Sequence, residues 1–412
     1  MKFAPAADQI ALLARGVVDF HVRAELEKKI EASAASGKPL RVKAGFDPTR
    51  PDLHIGHAVL LQKMRQFQDL GHTAIFLVGD FTAMVGDPTG HNDARPRLSR
   101  EDVRSAATTY IDQAFKVLDK SRVEIRYNTE WLDTLRANDV VELMAKMTVS
   151  RMLERNDFSK RFEENRAIYQ HEFLYPLLQG YDSVALESDV ELGGTDQLFN
   201  LLVGRDLMPK YGKPPQIVMT TPILEGLDAK PDENGHIVGK KMSKSADNYI
   251  GFHDDAATMF RKVMQVHDVV IWRYFELLSQ KSNQEITAMK LLGDPLNAKR
   301  EFARELIARF HDTAAAKNAE SDFDKAYMAD DVPADVPSID VTTDGPTLWI
   351  AKALSAASLV KSTGEGKRLV EQGGVEIDRT RVTDAQLQLE KGKTFLLRVG
   401  SKNRKFCRIT VR

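Results

Sequence analysis

Cysteine is almost absent: Cys407 is the only one in 412 residues. A disulfide framework within the chain and a cysteine zinc cluster are therefore excluded, and a reducing compartment is the expected setting. No stretch approaches the roughly 20 apolar residues that a membrane-spanning helix requires. The opening residues, MKFAPAADQIALLARG, lack a long apolar core and carry Asp8 early, so they do not read as a signal peptide. No repeat of solenoid length and no long low-complexity tract is visible. What remains is a soluble, cytoplasmic chain with no membrane association. Its 42% hydrophobic content suits two or three packed domains rather than one core.

Net charge is also nearly absent, at -1, but it is unevenly placed. Residues 347–412 hold 14 Lys+Arg against 6 Asp+Glu, a balance of +8, whereas residues 1–346 hold 44 against 53, a balance of -9. An acidic body with a basic tail points to the tail as the part that meets a polyanion. An ordinary solvated basic domain is the alternative.

In the first two-thirds, short apolar runs alternate with helical patterns. Residues 41–46, 73–78, 123–127, 190–192 and 216–219 read as strands, and a helix is expected over about 57–69. Ser99 and Asp102 have capping-box spacing ahead of a helical period through Val103, Ala107, Tyr110 and Ala114. This alternation predicts a doubly wound parallel, Rossmann-like α/β sheet over residues 1–252. A separate helical domain is expected over 253–330, and an Asp-, Pro- and Thr-rich linker over 331–346. A small α+β module follows over 347–412.

Two constellations carry chemistry. Gly45-Phe-Asp-Pro-Thr49 is followed by Pro51-Asp-Leu-His-Ile-Gly-His57. His54 and His57 fall in the first turn of a helix, where free backbone N–H groups and the helix dipole favour an anion. Gly56 removes a side chain between them, so a ligand can approach the backbone. Two capping histidines with only a structural role are the alternative. The second constellation is Lys240-Lys-Met-Ser-Lys-Ser245, after the glycine-punctuated stretch 231–239, which reads as a flexible loop. Lysines on such a loop suit a leaving group that gains negative charge during reaction.

Together, His54-Ile-Gly-His57 and Lys241-Met-Ser-Lys-Ser245 resemble the paired signatures of the class I aminoacyl-tRNA synthetases. Three further segments resemble the tyrosyl-tRNA synthetases: Tyr175-Pro-Leu-Leu-Gln-Gly-Tyr-Asp182, Gly193-Gly-Thr-Asp-Gln197 and Gly86-Asp-Pro-Thr-Gly90. The resemblance implies tyrosine activation by ATP and transfer to a tyrosine-specific tRNA. Asp182 would accept from the substrate phenol, and Asp87, Tyr175 and Gln179 would hold its α-ammonium. Gln197 would face the carboxyl end. Asp47, Gly56, Asp196 and Lys244 would contact ATP, with Asp196 at the ribose. His54, His57, Lys241 and Lys244 would act on the phosphates, with Mg²⁺ accompanying ATP and no protein-bound metal. A buried carboxylate left unpaired by phenylalanine gives discrimination without editing, a rule for which this family is itself the standard example.

In the better-known branch of that family a tyrosine stands at the position of Lys43 and a lysine at that of His91, so these two positions depart from its pattern. The tail, from Leu359 through Lys367 and Arg368 to the strand 395–398, resembles the S-four RNA-binding module. Lys361, Lys367, Arg368, Arg404 and Lys405 are its candidate phosphate contacts. Gly364-Glu-Gly-Lys367 fails as a phosphate loop, because Lys361 stands where the first glycine belongs. The resemblance further implies a homodimer. Residues 144–166 are candidates for dimer or acceptor-stem contact, or else a solvated charged helix. Tryptophanyl enzymes share the fold and both signatures, but Asp182 and the basic tail favour tyrosine. A catalytically dead RNA-binding regulator is disfavoured by the intact signatures.

Overall fold

The structure is a computed structural model that describes residues 3–48, 53–89, 99–330, 336–378, 380–400 and 405–412, for 326–330 the backbone alone. His91 and Arg404 lie outside the described residues. Two compact units are present, residues 1–320 and 321–412.

The first unit is built on six strands: β1 (Phe20–His21), β2 (Arg41–Phe46), β3 (Thr73–Val78), β4 (Val123–Tyr127), β5 (Val190–Gly194) and β6 (Ile217–Thr221). Their order is β1-β6-β5-β2-β3-β4, and every pairing is parallel except the two-residue edge β1 against β6. Val42, Ala44, Ile75, Phe76, Val190 and Val218 are all at most 1% exposed, as expected for strands covered on both faces by helices. The predicted sheet is thus present, with the Ile55–Asp69 helix starting two residues before the expected 57 because His54 itself caps it. The stretch 231–239, read as a flexible loop, instead falls largely in a short hairpin of β7 (Lys230–Pro231) and β8 (Ile237–Val238).

The helices from Ala256 to Phe310 confirm the all-helical character expected there, but they do not separate from the sheet domain and belong to the same compact unit. The reason is buried contact across that boundary. The Phe252 and Phe310 rings pack at a tilt with centroids 4.4 Å apart, Tyr274 donates to the Glu225 carbonyl at 2.8 Å, and Arg309 reaches Gln62 at 3.1 Å. Among the described residues no helix is long and apolar enough to cross a membrane.

The second unit holds β9 (Ser338–Val341), β10 (Thr347–Trp349), β11 (Val375–Ile377), β12 (Thr380–Val382), β13 (Gln388–Glu390), β14 (Thr394–Val399) and β15 (Lys405–Val411). Five form one sheet in the order β12-β11-β14-β15-β9, and β10 pairs with β13. The segment 331–346, expected to be a linker, therefore contributes an edge strand. β9 runs parallel to β15, and Ile339 and Val341 pack on the core of Leu354, Val375, Leu397 and Ile409. A short strand rich in Asp and Pro neighbours has no period to show in the sequence; its partner supplies the order.

A fragment spanning 336–412 should consequently be more stable than one spanning 343–412. Loss of the β9 ladder and its two apolar side chains should cost about 2–4 kcal/mol. Urea unfolding of the two fragments measures this, and equal midpoints would mean that β9 is a passive cover.

Candidate active site

Strand order reverses between β2 and β5, and in such sheets the crevice beyond the carboxyl ends of the strands receives the ligand. A cleft of about 1240 Å³ opens there. Asp47, His57, Asp87, Tyr175, Gln179, Asp182, Asp196, Gln197 and Lys241 all line it, so nine of the residues named from sequence converge on one cavity. His54, Gly56 and Lys244 stand beside it rather than in its wall.

The histidine pair is organised by the helix start. Gly56 N–H donates to His54 Nδ1 and His54 N–H donates to His57 Nδ1, each at 3.2 Å, closing a capping box. Both Nδ1 atoms accept, so each neutral ring carries its proton on Nε2 and can donate it outward. The rings lie 4.0 Å apart. Burial, then the neighbouring histidine and the positive charges of Lys241 and Lys244, hold His54 down at about 3. Burial, aided by the same lysines, holds His57 at about 4 against its bond to the His54 backbone. Both are uncharged donors at neutral pH. A Cβ at position 56 would stand 2.9 Å from the His54 ring, so the glycine is needed for the ring's own placement.

The lysine segment is tied to this turn by backbone. His54 and Gly251 form an antiparallel bridge, with Ile55 N–H donating to the Ile250 carbonyl and Phe252 N–H to the Leu53 carbonyl, both at 3.0 Å. Met242 is buried, and Asn248 accepts from Ser243 N–H at 2.8 Å. Lys241 reaches across to Asp196, 3.7 Å away, and Lys244 lies 5.9 Å from the Tyr249 ring.

On the opposite wall, the Gln170–Leu186 helix presents Tyr175, Gln179 and Asp182 to the cleft, as their spacing of four and three predicted. Gly180 lets this helix press against Gly204 of the Leu198–Lys210 helix, because a Cβ there would be 3.1 Å from Gly204 N. Asp182 is 2% exposed and accepts from Trp131 Nε1 at 2.8 Å and Asn128 Nδ2 at 3.3 Å. Burial pushes its carboxyl up to about 7, against the opposing pull of Lys43, Trp131 and Asn128. The Tyr175 hydroxyl donates to Asp47 Oδ2 at 2.8 Å, and Thr82 donates to Asp47 Oδ1 at 2.8 Å. Burial and Asp47 raise the Tyr175 phenol well above its ordinary range, so it stays protonated.

Asp87 follows Gly86, whose φ of +88° requires glycine. It accepts from Gln197 at 2.7 Å and from Thr89 at 2.6 Å, and the nearly buried Arg155 stands 3.6 Å away. Asn128, Trp131, Thr82 and Arg155 were not singled out from sequence. Their one signal is position: Asn128 and Trp131 directly follow β4, at the end of the sheet where the cleft forms.

In the second unit, Lys361, Lys367 and Arg368 are exposed on or beside the Thr363–Glu371 helix, and Lys405 is exposed at the start of β15. Gly366 is a helix-contact residue: a Cβ would meet the Ala351 carbonyl at 3.3 Å. That explains its glycine without a phosphate loop.

A Rossmann-like sheet with two neutral histidines and a lysine loop at its switch point defines a nucleotide-dependent class, and comparison agrees. The family described as tRNA synthetases class I (W and Y) matches residues 35–328, and the S4 domain matches residues 348–394. The tyrosine–tRNA ligase of Geobacter sulfurreducens is 49% identical over 409 residues, 98% of this chain and 99% of the relative. That of Burkholderia thailandensis is 49% identical over 415 residues, 99% and 97% respectively. Among solved structures, a C-terminally truncated mitochondrial tyrosyl-tRNA synthetase of Aspergillus nidulans superposes with TM-score 0.63 at 20% identity, covering 77% of this chain and 94% of that one. The Archaeoglobus fulgidus tyrosyl-tRNA synthetase complexed with L-tyrosine gives 0.60 at 21% identity, covering 77% and 99%. These two likenesses concern the fold alone. The chain belongs to the tyrosine–tRNA ligase family of class I synthetases.

The Asp182 carboxyl should lose its charge as pH falls through about 7, far above the ordinary aspartate range. Difference infrared spectra between pH 8 and pH 6 should show a protonated carboxyl that Asp182→Asn lacks. No such difference band would mean that Asp182 is ionised throughout, with its donors outweighing burial.

Proposed function

We propose that the chain is a working tyrosine–tRNA ligase of the cytoplasm, activating tyrosine with ATP and passing it to the 3′ end of its tRNA. The observation that carries this reading is the nearly buried Asp182, steadied by two donors, in the same cleft as the histidine turn and the lysine loop. The substrate phenol would donate to Asp182. Its α-ammonium would lie among Asp87, Tyr175 and Gln179, and its carboxylate near Gln197. ATP would extend past Asp47, Gly56 and Asp196 to the histidines.

The tyrosine carboxylate attacks the α-phosphorus, and the bond to pyrophosphate breaks, so no protein nucleophile or general base is required. Catalysis then consists of positioning and charge stabilisation. The outward Nε2–H groups of His54 and His57 would donate to phosphate oxygens, and Lys241 and Lys244 would take up the charge of departing pyrophosphate. Mg²⁺ would arrive with ATP.

In the second step a terminal ribose hydroxyl of tRNA displaces AMP. The exposed Lys361, Lys367, Arg368 and Lys405, with Arg404, are proposed to hold the tRNA backbone. A homodimer would bury the exposed Val141, Met144, Val149 and Phe162. Arg161 and Arg166 of the same segment line the cleft, which suits acceptor-stem contact as well.

ATP–pyrophosphate exchange with tyrosine, tryptophan and phenylalanine tests the first step; exchange that does not favour tyrosine would refute it. In Lys244→Ala, the activation rate should fall by the equivalent of about 2–4 kcal/mol while tyrosine affinity stays near wild type. An unchanged pre-steady-state rate would remove Lys244 from the reaction. A chain ending at Asp330 keeps the first unit and lacks β9 with the rest of the second sheet. It should retain exchange within a few-fold, charge tRNA poorly, and bind residual tRNA with a shallower salt dependence. Near-normal charging would show that the tail is not the tRNA anchor.

A further inference from the structure

Behind Asp182 lies a second set of charges that the reaction does not use. Lys43 and Glu191 occupy paired positions on β2 and β5, with Nζ and Oε1 3.0 Å apart and both side chains at most 1% exposed. Neither lines the cleft. Lys43 Nζ also donates to Ser183 Oγ at 2.7 Å and to the Gln179 carbonyl at 3.3 Å. Both partners belong to the helical turn that presents Gln179 and Asp182. Ser183 Oγ donates in turn to Glu191 Oε2 at 3.0 Å, and Gln216 Nε2 donates to the same oxygen. Space for this network is kept by Gly204, where a Cβ would lie 2.8 Å from Gln216 Nε2, 3.0 Å from Ser183 Oγ and 3.2 Å from Glu191 Oε2.

Stability alone does not account for such a pair. A buried ion pair forfeits the hydration of both charges, and apolar residues of similar volume commonly do as well. Its position suggests the reason. Two carboxylates, Asp182 and Glu191, are buried close together, and without a cation between them one would take up a proton. A protonated Asp182 is no longer the acceptor-only group that a phenol donor needs. The charged and titratable groups facing Asp182 are Lys43 from β2, Glu191 from β5 and, on its own helix, Tyr175, whose hydroxyl is protonated. Asn128 and Trp131 add neutral donors.

We propose that Lys43 and Glu191 form a positioning pair for the tyrosine side-chain subsite: Lys43 clamps the 179–183 turn and balances the second buried carboxylate, so that Asp182 meets the phenol as an oriented acceptor. This rests on the reading of Asp182 as the partner of the phenol.

The test is the acid limb of kcat/KM for tyrosine, followed by pyrophosphate exchange between pH 5.5 and 8, with kcat/KM for ATP as the control. His54 and His57, at about 3 and 4, stay neutral across this range. Glu191→Gln removes the second carboxylate and keeps the cation, so the limb should move to lower pH. The double variant Lys43→Met, Glu191→Gln removes both charges and the clamp. Its limb should move to higher pH, and the tyrosine-to-phenylalanine ratio at pH 6 should fall by about tenfold for each unit of displacement. Loss of packing would lower activity without moving the two limbs in opposite directions. In Asp182→Asn the limb should vanish; if it persists there, the assignment of Asp182 to the phenol fails and this inference with it. If it vanishes there but is unmoved in Glu191→Gln, the pair has no part in the subsite and this inference alone falls. Glu191→Gln decides the matter even where the double variant does not fold.

Discussion

Two backbone hydrogen bonds hold the chemistry of this molecule together: Ile55 N–H to the Ile250 carbonyl and Phe252 N–H to the Leu53 carbonyl. They join the histidine turn, which starts a helix early in the chain, to the segment that follows the lysine loop. Each bond contributes only about 0.5–1.5 kcal/mol net, which is too little to hold a loop end by itself. The larger share comes from Ile55, Ile250 and Phe252, all fully buried, at about 1.5–3 kcal/mol each. Met242 is buried in the same way at the near end of the loop. The segment is therefore pinned on both sides by apolar side chains. Lys241, whose side chain is 61% exposed, directly precedes the near pin, and the half-buried Lys244 stands between the two. Fixed ends and a solvated charged middle let lysines meet a charge that appears late without holding it at rest.

The cleft divides its electrostatics along the same line. At the phosphate end the fixed groups are neutral donors, and the positive charge is confined to the lysine loop. Charged histidines would attract the polyphosphate in the ground state as strongly as in the transition state; uncharged Nε2–H groups add direction with little ground-state attraction. The lysines themselves help to enforce this, since their fields add to burial in keeping both rings unprotonated. At the other end the sign reverses. Asp182 is costly to bury, and donors and a cation are gathered around it to offset that cost. On the proposed function the two ends would need opposite solutions, because one would bind charge transiently and the other would recognise a neutral hydroxyl.

Much of this was legible in the sequence, for physical reasons. The parallel strands show as continuous apolar runs because both faces are covered. Tyr175, Gln179 and Asp182 show because helical spacing fixes which residues share a face. His54, Gly56 and His57 show because a helix start has few ways to place two donors. Legibility ended where the partner is remote in the chain. Lys43 reads as a polar residue inside a strand until Glu191 is seen beside it on β5. Trp131 and Asn128 carry no pattern, since their role is to orient a carboxylate on another element. β9 and the merging of the 256–310 helices with the sheet domain were missed for the same reason: long-range pairing leaves no periodicity behind.

The charge split at residue 346 was readable without any fold, and its meaning changes once the units are known. The second unit has a core of its own, with Leu354, Val370, Val375, Leu397 and Ile409 all fully buried. Some of its basic side chains hold the unit together, as Arg398 does with Glu376 at 2.7 Å, whereas the exposed Lys361, Arg368 and Lys405 can serve what the unit meets. The first unit is under the opposite pressure. Its cleft is lined by Asp47, Asp87, Asp182 and Asp196, and on the proposed function each would be compromised by a generally basic surface field. On the proposed function, an enzyme that handles an amino acid and ATP in one place and a polyanionic RNA in another has reason to carry its basic excess in residues 347–412 and not around the acidic cleft. The steering of RNA would then fall to that stretch, while the histidine end of the cleft keeps its positive charge on one short loop.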